Sequence, residues 1–183
     1  MRNDVCQMPS MIKNRITTTD AATALAQLTS NIGSTFLQSV FPEAAFPNAE
    51  RVNQELLFLS MYIIDGLIKN PAQESWQKHR EPLAKHYYSK CTILAGQHLD
   101  GFMTLFLERI TFYNEALSKH ISLANLKNRD DRLVAVGALA GKYFAEICGQ
   151  PDDDRHKLIG AGAFTTINLS TEQLFFQSEI IGE

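Results

Sequence analysis

Five histidines are the side chains best suited to proton transfer or metal binding near neutral pH. A di-metal carboxylate bundle would need a Glu-x-x-His pair on each of two helices. No glutamate here has a histidine three positions on, and no histidine has His, Asp or Glu four positions on. Asp153 does precede His156 by three, within the run Asp152-Asp153-Asp154. Acids at a helix start favour the dipole, so this run reads as a solvated helix start rather than a metal site. Gly160-Ala161-Gly162 supplies two glycines of a dinucleotide loop, but the third position is Thr165. The chain has no Walker lysine there and no Gly-x-Ser-x-Gly elbow. Cys91 and His98 are seven apart, but a buried cysteine acting as a small hydrophobe accounts for Cys91. No catalytic residue, metal or cofactor is assigned.

Two other groups have informative spacing. Lys69, Lys78, Arg80, Lys85 and Lys90, interleaved with Trp76, Tyr87 and Tyr88, could hold a single nucleic-acid strand. Glu74 and Glu81 dilute that charge, and the segment reads as a solvated helix face. Arg109 lies in the series His98, Phe102, Leu105, Arg109, Phe112, Ala116, His120, whose steps of three and four mark a core seam. A guanidinium there cannot shed its charge and must find an acid, carbonyls or an anion. A structural ion pair to Glu55, Asp65 or Glu146 is the first expectation. The functional alternative is a small-molecule pocket lined by Phe102, Phe106, Arg109, Tyr113 and Tyr143. Asp65 falls on the polar edge of its helix, with Lys69 as its i,i+4 partner.

These residues need elements to hold them. Thr17 to Asp20 opens a helix at about 19–41 with Leu25, Leu28, Ile32, Phe36 and Val40 on one face. Asn48 is read as the cap of a second, at about 49–69, apolar over most of its circumference and so central. Asn70-Pro71-Ala72-Gln73 predicts a third start, with Asn as cap and Pro in the first turn. Pro82 should break or kink that helix. A fourth helix reaches about His120, and Asn128 with Asp131 caps a fifth over 129–148, closed by Gly149 and Pro151. Residues 158–169 favour helix weakly or not at all and are left unassigned, and Ser170-x-x-Gln173 predicts a short terminal helix to Ile181.

The fifth helix carries a side made of small residues: Val134, Gly137, Ala138, Gly141, Ala145 and Cys148. Gly137-x-x-x-Gly141 permits close approach of another backbone, either an internal helix or a second subunit. Val134, Gly137, Ala138, Gly141 and Ala145 are therefore the candidate interface.

The composition is that of an ordinary soluble globular protein, with 45% apolar and 20% charged residues, which excludes a disordered tail. A net charge of −3 excludes a strongly basic nucleic-acid binder. Three scattered cysteines and the absence of an apolar leader point to a reducing cytoplasm. The longest apolar stretch, Leu56–Ile68, is interrupted and too short to span a membrane. The expected architecture is all-α: a flexible arm at 1–16, then one domain at 17–183, a bundle of about six helices around the central one. The expected function is non-enzymatic, a helical module acting through protein contacts as a homodimer. A small-molecule sensor, or another protein partner, is the alternative.

Overall fold

The computed structural model describes residues 13–40, 48–71, 73–96, 99–120 and 126–182, of which 33–40, 99 and 100 by backbone alone. The fold is all-α, a compact bundle of seven helices among the described residues, with one small sheet. The elements in order are β1 (Asn14–Ile16), α1 (Thr18–Val40), α2 (Ala49–Lys69), α3 (Glu74–Lys78), α4 (Arg80–Ala95), α5 (Leu99–Ser118), α6 (Arg129–Ile147), α7 (Asp154–Gln177) and β2 (Ser178–Ile180).

α2 is central, as its sequence requires: α1, α4, α5, α6 and α7 all pack on it. Leu56, Phe58, Leu59, Met61 and Ile64 are all fully buried. α1 starts where the Thr-x-x-Asp signal places it. The Asp20 N–H donates to Thr17 Oγ1 at 3.0 Å, and that hydroxyl donates to Asp20 Oδ2 at 2.9 Å. α6 starts equally well, with the Asp130 N–H donating to Asn128 Oδ1 at 2.9 Å, and Gly149 follows it at φ 75°. Asn48 precedes α2, but in the left-handed region at φ 66° and with no side-chain cap bond.

The Asn70-Pro71 start is corrected. Asn70 ends α2, donating its backbone N–H to Gly66 O at 3.2 Å, and α3 begins only at Glu74. Tertiary contacts outweigh the local signal. Gln73 Nε2 donates to the Phe175 carbonyl, and Trp76 Nε1 donates to Ser178 O at 3.2 Å. The Trp76 ring also stacks on Phe175 with centroids 4.0 Å apart. The break foreseen near Pro82 falls at His79, leaving Pro82 in the first turn of α4, where its missing N–H costs nothing.

The C-terminal region differs most from expectation. Residues 154–177 form one continuous helix, and the Ser170 cap signal is overrun. Beyond it, Ser178–Ile180 form a strand, not helix, pairing in parallel with β1 in the register Asn14↔Ser178 and Ile16↔Ile180. Of the expected arm, residues 14–16 are thus in the sheet, while residues 1–12 lie outside the described residues, as does the connection bracketed by Pro42 and Pro47.

Candidate functional site

Arg109 projects from α5 toward α2 and meets Glu55, one of the three acids named from sequence. Nε donates to Glu55 Oε2 at 2.7 Å and Nη2 to Oε1 at 2.6 Å, a bidentate pair. The Glu55 side chain is 2% exposed and that of Arg109 21%. The carboxylate holds the guanidinium pKa above its ordinary value. The pair forms one wall of an open polar cleft of about 520 Å3 with Asn48, Glu50, Arg51 and Gln54. None of the aromatic residues grouped with Arg109 lines that cleft. Phe102 and Phe106 are fully buried against Phe58, at centroid distances of 5.4 and 6.5 Å. Tyr113 is fully buried against Tyr62, and burial raises its phenol pKa well above the ordinary value. Tyr143 bonds His120 Nε2 at 3.0 Å through its hydroxyl. His98 lies outside the described residues. Arg109 therefore anchors α5 to α2, and Phe102, Phe106 and Tyr113 are packed core rather than the walls of its cleft.

Asp65 also departs from expectation. Its i,i+4 pair with Lys69 is present at 2.7 Å, yet Asp65 is 4% exposed and also accepts the Tyr88 hydroxyl. It is a buried carboxylate tying α2 to α4. Burial, and then Asp65, raise the Tyr88 pKa. The buried thiols of Cys91 and Cys148 are both pushed up to about 12 by burial, which makes them poor nucleophiles.

The small side of α6 is spent inside the chain. A Cβ on Gly141 would lie 2.2 Å from the Lys157 carbonyl oxygen on α7, and one on Gly137 3.1 Å from Thr165 Oγ1. From the other side, a Cβ on Gly160 would lie 2.6 Å from Phe144 Cβ. The glycines of α6 and α7 thus face each other and let the two backbones close. Gly137, Gly141 and Ala145 are buried, which removes them from the candidate interface; Val134 and Ala138 stay exposed. Of the two partners open from sequence, the internal helix occupies Gly137 and Gly141.

An exposed apolar row was missed because 158–169 was not assigned to helix. On α7, Ile159, Ala163, Ile167, Thr171 and Phe175 face inward. Leu158, Leu169 and Phe176 point outward, with Leu158 61% and Phe176 56% exposed. Their spacing of eleven and seven residues keeps them within about 20° of one line along the helix, about 27 Å long. Val134 and Ala138 are exposed on α6, whose Gly137 and Gly141 pack on α7. At the row's C-terminal end, Leu169 and Phe176 border a cavity of about 460 Å3, whose other walls include Leu67, Pro71, Phe175 and the Arg129–Glu172 ion pair.

Among the described residues there is no group of three or more His, Cys, Asp or Glu placed to hold a metal ion. No helix among them is long and apolar enough to cross a membrane. Comparison with known proteins finds no family model, no curated protein and no solved structure that matches this chain.

Proposed function

We propose that this protein is a non-enzymatic contact module that self-associates as a homodimer through the outer face of α7. The observation that carries the reading is the row Leu158, Leu169, Phe176, large apolar side chains left in solvent along a helix whose opposite face is fully used. Burying each in a partner contributes about 1.5–3 kcal/mol, and large apolar side chains exposed along one face favour an interaction surface. A second copy is the occupant because the row is self-complementary. Leu158 and Phe176 lie equally far from its midpoint, at the level of Ile167. An antiparallel two-fold there sets Leu158 of one copy over Phe176 of the other, beside the apolar cavity at that end. Each copy supplies one knob and one hole. Val134 and Ala138 would extend the contact at its margin. The buried thiols Cys91 and Cys148 support the cytoplasmic setting that belongs to the same reading.

The test is a pair of charge substitutions. Leu158→Glu and Phe176→Glu should each convert the dimer to a monomer on size exclusion with light scattering, with helical circular dichroism unchanged, because both side chains already face solvent. A dimer that survives both substitutions would remove α7 as the interface.

A further inference from the structure

A second cavity, of about 370 Å3, lies between α2, α5, α6 and α7, away from the outer row of α7. Its size falls within the range of small-molecule sites, about 300–1,000 Å3. Ile110, Leu117, Val136 and Phe164 give it apolar walls, and Asp65, Tyr62, Asn114 and Asn168 bring polar atoms to it. Gly66 of α2 lines it as well, and a Cβ there would have no heavy atom within 4 Å. A glycine inside a helix costs roughly 1 kcal/mol against alanine. At Gly141 a close helix contact accounts for that cost; at Gly66, which is exposed at the rim of the cavity, no contact does.

Asp65, Tyr62 and Asn168 bring acceptors to the cavity, beside the Asn114 Nδ2 and Lys69 Nζ donors. Each Asp65 oxygen has one donor, Tyr88 Oη on Oδ1 and Lys69 Nζ on Oδ2, while a carboxylate accepts about four. Tyr62 gives its proton to Asn114 Oδ1 at 3.2 Å, leaving its own oxygen to accept. Asn168 Nδ2 donates to Phe164 O at 3.3 Å, leaving its Oδ1 free to accept. Asp65 is buried and needs a cation, while the Lys69 side chain that now supplies it is 61% exposed and can swing out to solvent as another ammonium takes its place. We propose that this cavity binds a small organic cation, a primary ammonium on an apolar body. The ammonium takes the place of the Lys69 amine at Asp65, and the body lies over Gly66 against Val136 and Phe164.

The proposal is independent of the dimer, since none of these residues lies on the outer row of α7. The full-length protein would be titrated by calorimetry with 2-phenylethylammonium, with the neutral 2-phenylethanol and with the anionic 3-phenylpropionate. The ammonium should bind about tenfold more tightly than the alcohol, from one charge-assisted hydrogen bond, and the carboxylate most weakly. Gly66→Leu should fill the cavity and abolish binding while the protein stays folded. Lys69→Gln should strengthen ammonium binding by removing its competitor, and Asp65→Asn should erase the preference over the alcohol. No heat with the ammonium, equal affinity for ammonium and alcohol, or binding that survives Gly66→Leu would each overturn the assignment.

Discussion

Glu55 holds a charge at 2% exposure, and Arg109 occupies both of its oxygens. Removing one partner of such a pair leaves the other uncompensated, a loss of about 3–5 kcal/mol, whereas replacing both by apolar side chains is often neutral. Arg109→Met should therefore destabilise the protein by about 3 kcal/mol, the low end because Arg109 is partly exposed, and Glu55→Met with Arg109→Met should recover most of it. Urea unfolding of the two singles and the double measures this; additive losses would contradict a structural pair. Asp153 tests the electrostatics of a cap. Its carboxylate accepts the Arg155 N–H at 3.0 Å and also takes Arg155 Nε and His156 Nδ1. Arg155 first, then His156, lowers its pKa to about 2. A depressed folded pKa stabilises above the unfolded value, about 3.9, and that stability is lost as pH falls towards about 2. Asp153→Ala should cost about 1 kcal/mol at pH 6. The gap from the parent should close between about pH 4 and pH 2 in thermal melts; a gap independent of pH would contradict the assignment. Both residues stood out in the sequence, Arg109 as a charge in an apolar seam and Asp153 as an acid before a helix. The partner from another helix, Glu55, was only one of three candidates, because long-range pairing leaves no mark in local spacing.

Helix α7 shows how packing overrides local preference. Gly160, Gly162, Thr165 and Thr166 weaken a helix in isolation, and on that ground the segment reads as irregular. In the bundle, Gly160 meets Phe144 and Gly141, so the residues that lower propensity also permit the close α6–α7 contact that holds the helix. Two glycine substitutions separate these effects. Gly141→Ala would press a methyl against the Lys157 carbonyl oxygen at 2.2 Å, and should destabilise by about 1–3 kcal/mol. Gly66→Ala meets nothing within 4 Å and should stabilise by roughly 0.5–1 kcal/mol through helix propensity alone. Melting temperatures decide both, and equal shifts in one direction would sink the distinction. Gly137→Leu is a poor probe of dimerisation for the same reason, since it would collide with Thr165 inside one chain. The starts at Thr17 and Asn128 were legible because their hydrogen bonds are local. The start at Asn70 departs from the local signal because Gln73 is drawn to the last turn of α7 and Trp76 to the strand after it, which no neighbouring residue announces.

The whole molecule is the bundle that composition and periodicity imply, with α2 at its centre, α5 packed on it and α4 packed chiefly on α1. The two short strands lay beyond the reach of pattern, since three residues show no usable alternation. The outer row of α7 became visible only when 154–177 was one helix: Leu158, Leu169 and Phe176 share a line only along an unbroken 3.6-residue repeat. The proposed self-association therefore moves from the small side of α6, which α7 covers at Gly137 and Gly141, to the outer row of α7. The central claim is that two copies join there. Sedimentation equilibrium of the full chain at micromolar concentration, beside Leu158→Glu, tests it most directly. The account predicts a parent mass of twice 20.5 kDa and a substituted mass of 20.5 kDa. A parent species that stays at 20.5 kDa across the concentration range would contradict it.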